Sequence, residues 1–188
     1  MRINKEEIVR LRYPELFRQK EDFDESSKIF MTDVWACHQL SLDQPKNETW
    51  RRLVIRTIFT GIDLFCNDLN QASTLLHKES GRKLPLEDHA FLHGKKVNKS
   101  GELKDTDYRF GEYFINTIRI YASVQGKEIR VIKGKEWNQF LGAMRMRNRL
   151  THPKQASDLH INLSEYKEAV AGCLWAVGCL RELFAGLV

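Results

Sequence analysis

Apolar residues recur along this chain at intervals of three and four, the spacing that gathers them on one face of a helix. The longest stripe crosses residues 46–78, where Trp50, Val54, Ile58, Ile62, Phe65, Leu69, Ala72 and Leu76 fall in step. Pro45 precedes it, Asn47 offers a capping side chain, and Gly81 marks its end. A second stripe over 163–187 carries Tyr166, Val170, Cys173, Leu174, Val177, Leu180 and Phe184. There Asn162, followed three residues later by Glu165, resembles a capping box. Shorter patterns predict helices over 25–41 (Ile29, Phe30, Val34, Cys37, Leu40), 107–124 (Phe110, Phe114, Ile118, Tyr121) and 135–151 (Trp137, Phe140, Leu141, Met144). The opening stretch 6–18 predicts one more, interrupted at Pro14.

Between Gly81 and Asp105 the chain turns polar, and the run from Val97 to Leu103 reads as a hairpin turn. Residues 127–134 read as an extended linker, with Ile129 and Val131 alternating. No internal repeat and no dividing linker interrupts the pattern. The expectation is one all-α domain over 1–188: an up-and-down helical bundle of four to six helices, with a small hairpin at about 90–106. The four tryptophans (Trp35, Trp50, Trp137, Trp175) sit inside helical segments and are expected in the core.

Composition narrows the class. The 188 residues are 42% hydrophobic and 29% charged, with 4 Pro and 11 Gly, which excludes disordered and collagen-like chains. No apolar run reaches the ~18 residues that a membrane-spanning helix needs. The first residues, Met1-Arg2-Ile3-Asn4-Lys5-Glu6-Glu7, carry no apolar secretion signal, so the expected location is cytoplasmic, with no membrane partner. Cys37, Cys66, Cys173 and Cys179 form no C-x-x-C pair and read as small buried hydrophobes rather than a disulfide framework.

The net charge of +5 is unevenly placed. Residues 127–154 hold eight cations against Glu128 and Glu136, a net +6, so the rest of the chain sums to −1. A concentrated basic stretch attracts polyanions, nucleic acid phosphates above all. Inside it lies Met144-Arg145-Met146-Arg147-Asn148-Arg149-Leu150-Thr151-His152-Pro153-Lys154. Pro153 disfavours helical geometry at the residue before it, so the helix should end near Thr151 or His152. On an unbroken helix Arg147 and His152 would stand ~140° apart, whereas an unwound last turn lets the imidazole swing back toward the arginine. Those side chains suit metal-free cleavage of RNA. A histidine can take the proton of a ribose 2′-hydroxyl, and an arginine can grip the phosphate as charge builds on it. Asn148 can hold the phosphate or orient the ring.

Arg147-Asn148-Arg149-Leu150-Thr151-His152 resembles the signature of the higher eukaryote and prokaryote nucleotide-binding (HEPN) superfamily: Arg, a polar residue, a short spacer, then His near the end of a bundle helix. The resemblance implies a helical bundle acting as a metal-independent endoribonuclease that leaves a 2′,3′-cyclic phosphate and a 5′-hydroxyl. It also implies a homodimer that brings two motifs into one cleft, in a toxin–antitoxin or other antiviral defence setting. By residue type Arg147 and His152 are the implied catalytic pair, with Asn148 supporting. Arg145, Arg149 and Lys154 are expected to contact RNA. No metal and no cofactor is implied; an antitoxin or nucleotidyltransferase is a candidate partner. Lys154 stands where some family toxins carry a Tyr used for control by nucleotide addition, so that control is not expected.

Other constellations compete weakly. Arg51, Arg52 and Arg56 can line the same cleft or form a solvated face. His89 and His93 are four apart, a zinc-binding spacing on a helix, but no third ligand is in register. Cys37 and His38 are adjacent and so point ~100° apart on a helix, poor for a nucleophile and its base. No phosphate-binding glycine loop, G-x-S-x-G elbow or dinucleotide fingerprint occurs. The alternatives to a nuclease are a non-catalytic helical RNA-binding or nucleotidyltransferase-partner module, and a purely structural domain.

Overall fold

A computed structural model of the chain describes residues 13–81, 83–129 and 133–185. The chain is an all-α bundle with one small hairpin. Its helices among the described residues are α1 (Pro14–Asp43), α2 (Glu48–Ser80), α3 (Leu86–Leu92), α4 (Phe110–Val124), α5 (Lys135–Thr151) and α6 (Leu163–Ala185). A 3-10 turn, Ala156–Leu159, lies between α5 and α6. Strands β1 (Lys95–Val97) and β2 (Leu103–Asp105) pair antiparallel, with Lys96 opposite Lys104.

Local signals set most of these boundaries. Pro14 opens α1, since a proline in the first turn gives up no intrahelical bond. The part of the expected 6–18 helix before residue 13 lies outside the described residues, as do Arg130–Ile132 of the expected linker. The Asn47 side chain accepts from the Thr49 N–H (3.1 Å), and the chain leaves α2 at Gly81 with φ +63°. Asn162 accepts from the Glu165 N–H (2.9 Å), which starts α6. Helix α5 spans 135–151 as its periodicity predicts. Helix α3 was not legible, because seven residues with Leu86, Ala90 and Phe91 as apolar members are too short to show a period.

The packing falls into two compact units. One comprises Met1–Phe23, Cys66–Val131 and Leu180–Val188; the other comprises Asp24–Phe65 and Ile132–Cys179. In the first, Phe23 stacks on Phe184 with ring centres 3.8 Å apart, and Tyr121 lies against the same ring. Asp88, buried on α3, takes two hydrogen bonds from the Arg119 guanidinium of α4 at 2.8 and 2.5 Å. Tyr108 donates to the Lys95 carbonyl (2.6 Å) and so holds the hairpin.

In the second unit Val54, Ile55, Ile58 and Ile62 of α2 are wholly buried. Burial of side chains this size contributes ~1.5–3 kcal/mol each. Phe59 stacks on Phe140 of α5, and Phe30 meets Phe65 edge to face. Gly172 of α6 lies against the Gln139–Phe140 backbone of α5, with no room for a Cβ.

Several apolar positions depart from expectation. Trp35 is 63% exposed and Ile29 59% exposed on α1, and Leu174 is exposed on α6. Each neighbours a residue that is buried instead (Val34, Phe30, Cys173), and one step along a helix turns a side chain ~100° away from its neighbour. On α5 the buried set is Trp137, Phe140, Ala143, Met146 and Leu150; Leu141 and Met144 are only half-buried.

Candidate functional site at the end of helix α5

The rotation of α5 places the motif. At 100° per residue Arg147 falls within the arc spanned by Phe140, Ala143 and Leu150, and it is half-buried. Arg145 lies ~200° from it and is exposed. The basic cluster is therefore divided. Arg145 and Arg149 line a cavity of about 780 Å³ between α5 and the start of α6, together with Lys135, Asn138, Glu165 and Glu168. Arg147 instead shares the α2 side with Asp63. Burial raises the Asp63 carboxyl above its ordinary pKa, and the Arg147 charge opposes that rise.

Arg149 is heavily engaged. Its Nη2 donates to Glu165 Oε1 (2.9 Å) and to the His160 carbonyl (3.0 Å), tying α5 to the segment that leads into α6. Arg147 Nη1 donates to Asn148 Oδ1 (3.3 Å), and Asn148 is exposed. Lys154 is exposed, and its backbone N–H donates to Asp158 Oδ2 (2.8 Å).

The helix ends where Pro153 requires. His152 is its capping residue at φ −128°, ψ 62°, outside helical geometry, and its N–H closes the last turn on the Asn148 carbonyl (2.9 Å). The His152 side chain is exposed and, among the described residues, takes no hydrogen bond or ion pair.

The segment after the motif is fastened to the start of α2. Glu48 Oε2 accepts from the Ile161 N–H (3.2 Å) and from His160 Nδ1 (3.1 Å). Burial pushes the Glu48 carboxyl up, but these bonds, with the His160 and Arg51 charges, outweigh it and leave the pKa lowered. Arg52 donates to the Leu159 carbonyl (3.1 Å) and Arg56 to the Leu150 carbonyl (2.9 Å). Arg51 is buried, with Nη1 on the Pro45 carbonyl (2.7 Å) and Nη2 3.5 Å from Glu48. The three arginines thus have three different surroundings, which no charge pattern distinguishes.

Two other groupings resolve into packing. His38 shares a hydrogen bond with the Tyr166 hydroxyl (2.7 Å), which also meets Ser41 (3.0 Å), so His38 braces α1 against α6 and does not serve Cys37. The His89 and His93 rings lie 4.6 Å apart, and His77 of α2, which sequence reasoning did not connect to them, lies 6.1 Å from His89. Among the described residues no three His, Cys, Asp or Glu side chains form a group that could hold a metal ion. None of the four cysteines is in a disulfide; Cys66 and Cys173 are buried, Cys37 and Cys179 half-buried, and burial pushes the Cys173 thiol up to about 12.

No protein-family model, curated protein or solved structure matches this chain. No helix among the described residues is long and apolar enough to cross a membrane.

Proposed function

We propose that the chain is a metal-independent endoribonuclease of the HEPN type, working as a homodimer in a toxin–antitoxin or anti-phage setting in the cytoplasm. The observation that carries this reading is the end of α5. There His152 leaves helical geometry, exposed and without a hydrogen-bonding partner among the described residues, four positions after Asn148 and five after Arg147. A base must reach its proton unencumbered, and this imidazole is free to do so.

In the proposed reaction the His152 imidazole takes the proton of a ribose 2′-hydroxyl. The 2′-oxygen attacks the adjacent phosphorus, a P–O2′ bond forms, and the P–O5′ bond breaks. The departing 5′-oxygen takes up a proton from solvent. Arg147 supplies charge to the non-bridging oxygens at the moment they become more negative, where a fixed guanidinium is most effective. Asn148, already within reach of Arg147, keeps that guanidinium directed or shares the phosphate.

Cleavage should survive EDTA and stop when the attacking 2′-hydroxyl is replaced by hydrogen. The substitution His152→Ala should lower the rate by ~10²–10⁴ while circular dichroism and melting stay those of the wild type, since the side chain is exposed. Full activity in a folded His152→Ala protein removes the proposed base.

A second reading, a non-catalytic RNA-binding or nucleotidyltransferase-partner module, draws support from the cavity between α5 and α6. It carries Arg145 and Lys135 on the side of α5 away from Arg147. RNA binding with a steep salt dependence and no cyclic-phosphate product would favour it.

A further inference from the structure

The break before Pro153 has a consequence for α2. In a continued helix the Lys154 N–H would bond to the Leu150 carbonyl four residues back. It is donated to Asp158 instead, and the vacated Leu150 carbonyl accepts from Arg56 Nη2 at 2.9 Å. A guanidinium of α2 is thereby pinned by one edge to the last turn of α5, two residues before His152.

What distinguishes Arg56 is the rest of its surroundings. Arg51 and Arg52 both lie within 4 Å of Glu48, and Arg149 is paired with Glu165. Among the described residues Arg56 has no carboxylate partner, and its hydrogen bond to Leu150 leaves four N–H groups on an exposed side chain. Its direction is consistent with the motif. Asp63, seven residues on and within ~20° of Arg56 around α2, is the acid on which the Arg147 charge acts. One stripe of α2 therefore faces the motif turn, with Arg56 at Leu150 and Asp63 toward Arg147.

We infer that Arg56 is a positioning residue that grips an RNA backbone phosphate next to the one being cut, the Leu150 carbonyl holding its guanidinium in place. This inference rests on the endoribonuclease reading and adds a strand contact to it. A guanidinium held at one edge loses little freedom on taking a phosphate with the other, and it presents two parallel donors to the phosphate oxygens. The contact orients the strand and takes no part in the proton transfers.

The test uses the whole chain, a mixed-sequence single-stranded RNA oligonucleotide, and its fully 2′-deoxy counterpart, which binds without being cut. In Arg56→Gln, KM for cleavage should rise about tenfold with kcat within about threefold, as expected for one charged hydrogen-bond pair. Arg56→Lys should recover part of the loss. For the 2′-deoxy strand, the slope of log affinity against log salt should shrink by about 0.7, one phosphate contact fewer. A merely structural role at Leu150 would lower the melting temperature and leave that slope alone. An unchanged slope and KM in folded Arg56→Gln overturns the inference, and the nuclease reading then stands on wild-type cleavage. A reduced slope with no cleavage by the wild type supports the phosphate contact and sinks the nuclease. Failure of the wild type to bind either strand sinks both.

Discussion

Two glycines of α6 should respond to the same substitution with opposite sign. Replacing Gly by Ala inside a helix ordinarily stabilises by ~1 kcal/mol, because glycine surrenders more backbone freedom. At Gly178 an added Cβ meets nothing within 4 Å, so Gly178→Ala should realise most of that gain. At Gly172 the added Cβ would lie 2.7 Å from Phe140 Cα and nearer still to Phe140 N and Gln139 C. These are backbone atoms of α5, so no rotamer change can relieve the overlap. Restoring ordinary contact requires α5 and α6 to part by more than an ångström, which loosens Phe140 and Trp175, 6.2 Å apart across the same junction. Overpacking costs ~1–3 kcal/mol even where side chains can yield, and here they cannot. Taking the upper end of that range or beyond, less the propensity gain, leaves a net loss of ~2–4 kcal/mol for Gly172→Ala. For a domain of this size each kcal/mol moves Tm by ~2–4 °C. Thermal unfolding followed by circular dichroism should show Gly172→Ala melting ~5–15 °C lower and Gly178→Ala ~1–4 °C higher. Should both variants melt above the wild type, the close approach of α5 and α6 at Gly172 is wrong, and with it the placement of the motif helix.

Other outcomes follow from charges in the first unit. Burial, with the neighbouring Asp22 carboxylate second, raises the Asp68 pKa to about 6. A pKa above that of the unfolded chain means that this group favours folding fully below pH ~4 and loses that contribution as pH rises through 6. Asp68→Asn should therefore stabilise the protein by ~1 kcal/mol at pH 7.5, after allowance for solvent access, and by nothing near pH 4. Equal Tm changes at both pH values would refute this. Arg119→Met leaves the buried Asp88 carboxylate without its guanidinium. Because the arginine side is about half-exposed and water can enter, the loss should be ~2–3 kcal/mol rather than the full cost of a sealed pair, measured by urea unfolding. A loss below 0.5 kcal/mol, the range of an ordinary surface change, would mean that the pair is solvated.

The motif helix shows how far periodicity reaches. Its ends were legible at Lys135 and Thr151, because Pro153 acts on the residue before it. Its buried side was not. The larger apolar side chains, Leu141 and Met144, attract the eye, yet Ala143 and Met146 are the ones buried. Arg147 lies inside that arc, and for this reason it is half-buried beside Asp63 while Arg145 faces the cavity. Trp35 went the same way, as a tryptophan beside the buried Val34 on a helix with a single covered face.

By itself the sequence determined that the chain is helical, where most helices begin and end (the start of α1 and the whole of α3 excepted), the hairpin near 95–105, and the small set of residues from which any chemistry could be built. Those are decided within four or five residues, by caps, proline, glycine and the repeat of apolar positions. Tertiary structure decided which arginine is buried, which is paired, and which is held by one edge at the motif, along with the glycine that α5 and α6 need where they touch. Such outcomes depend on groups a hundred residues apart, as Arg56 is from Leu150 and Glu48 from His160, and no local pattern encodes which of two faces such a neighbour will cover.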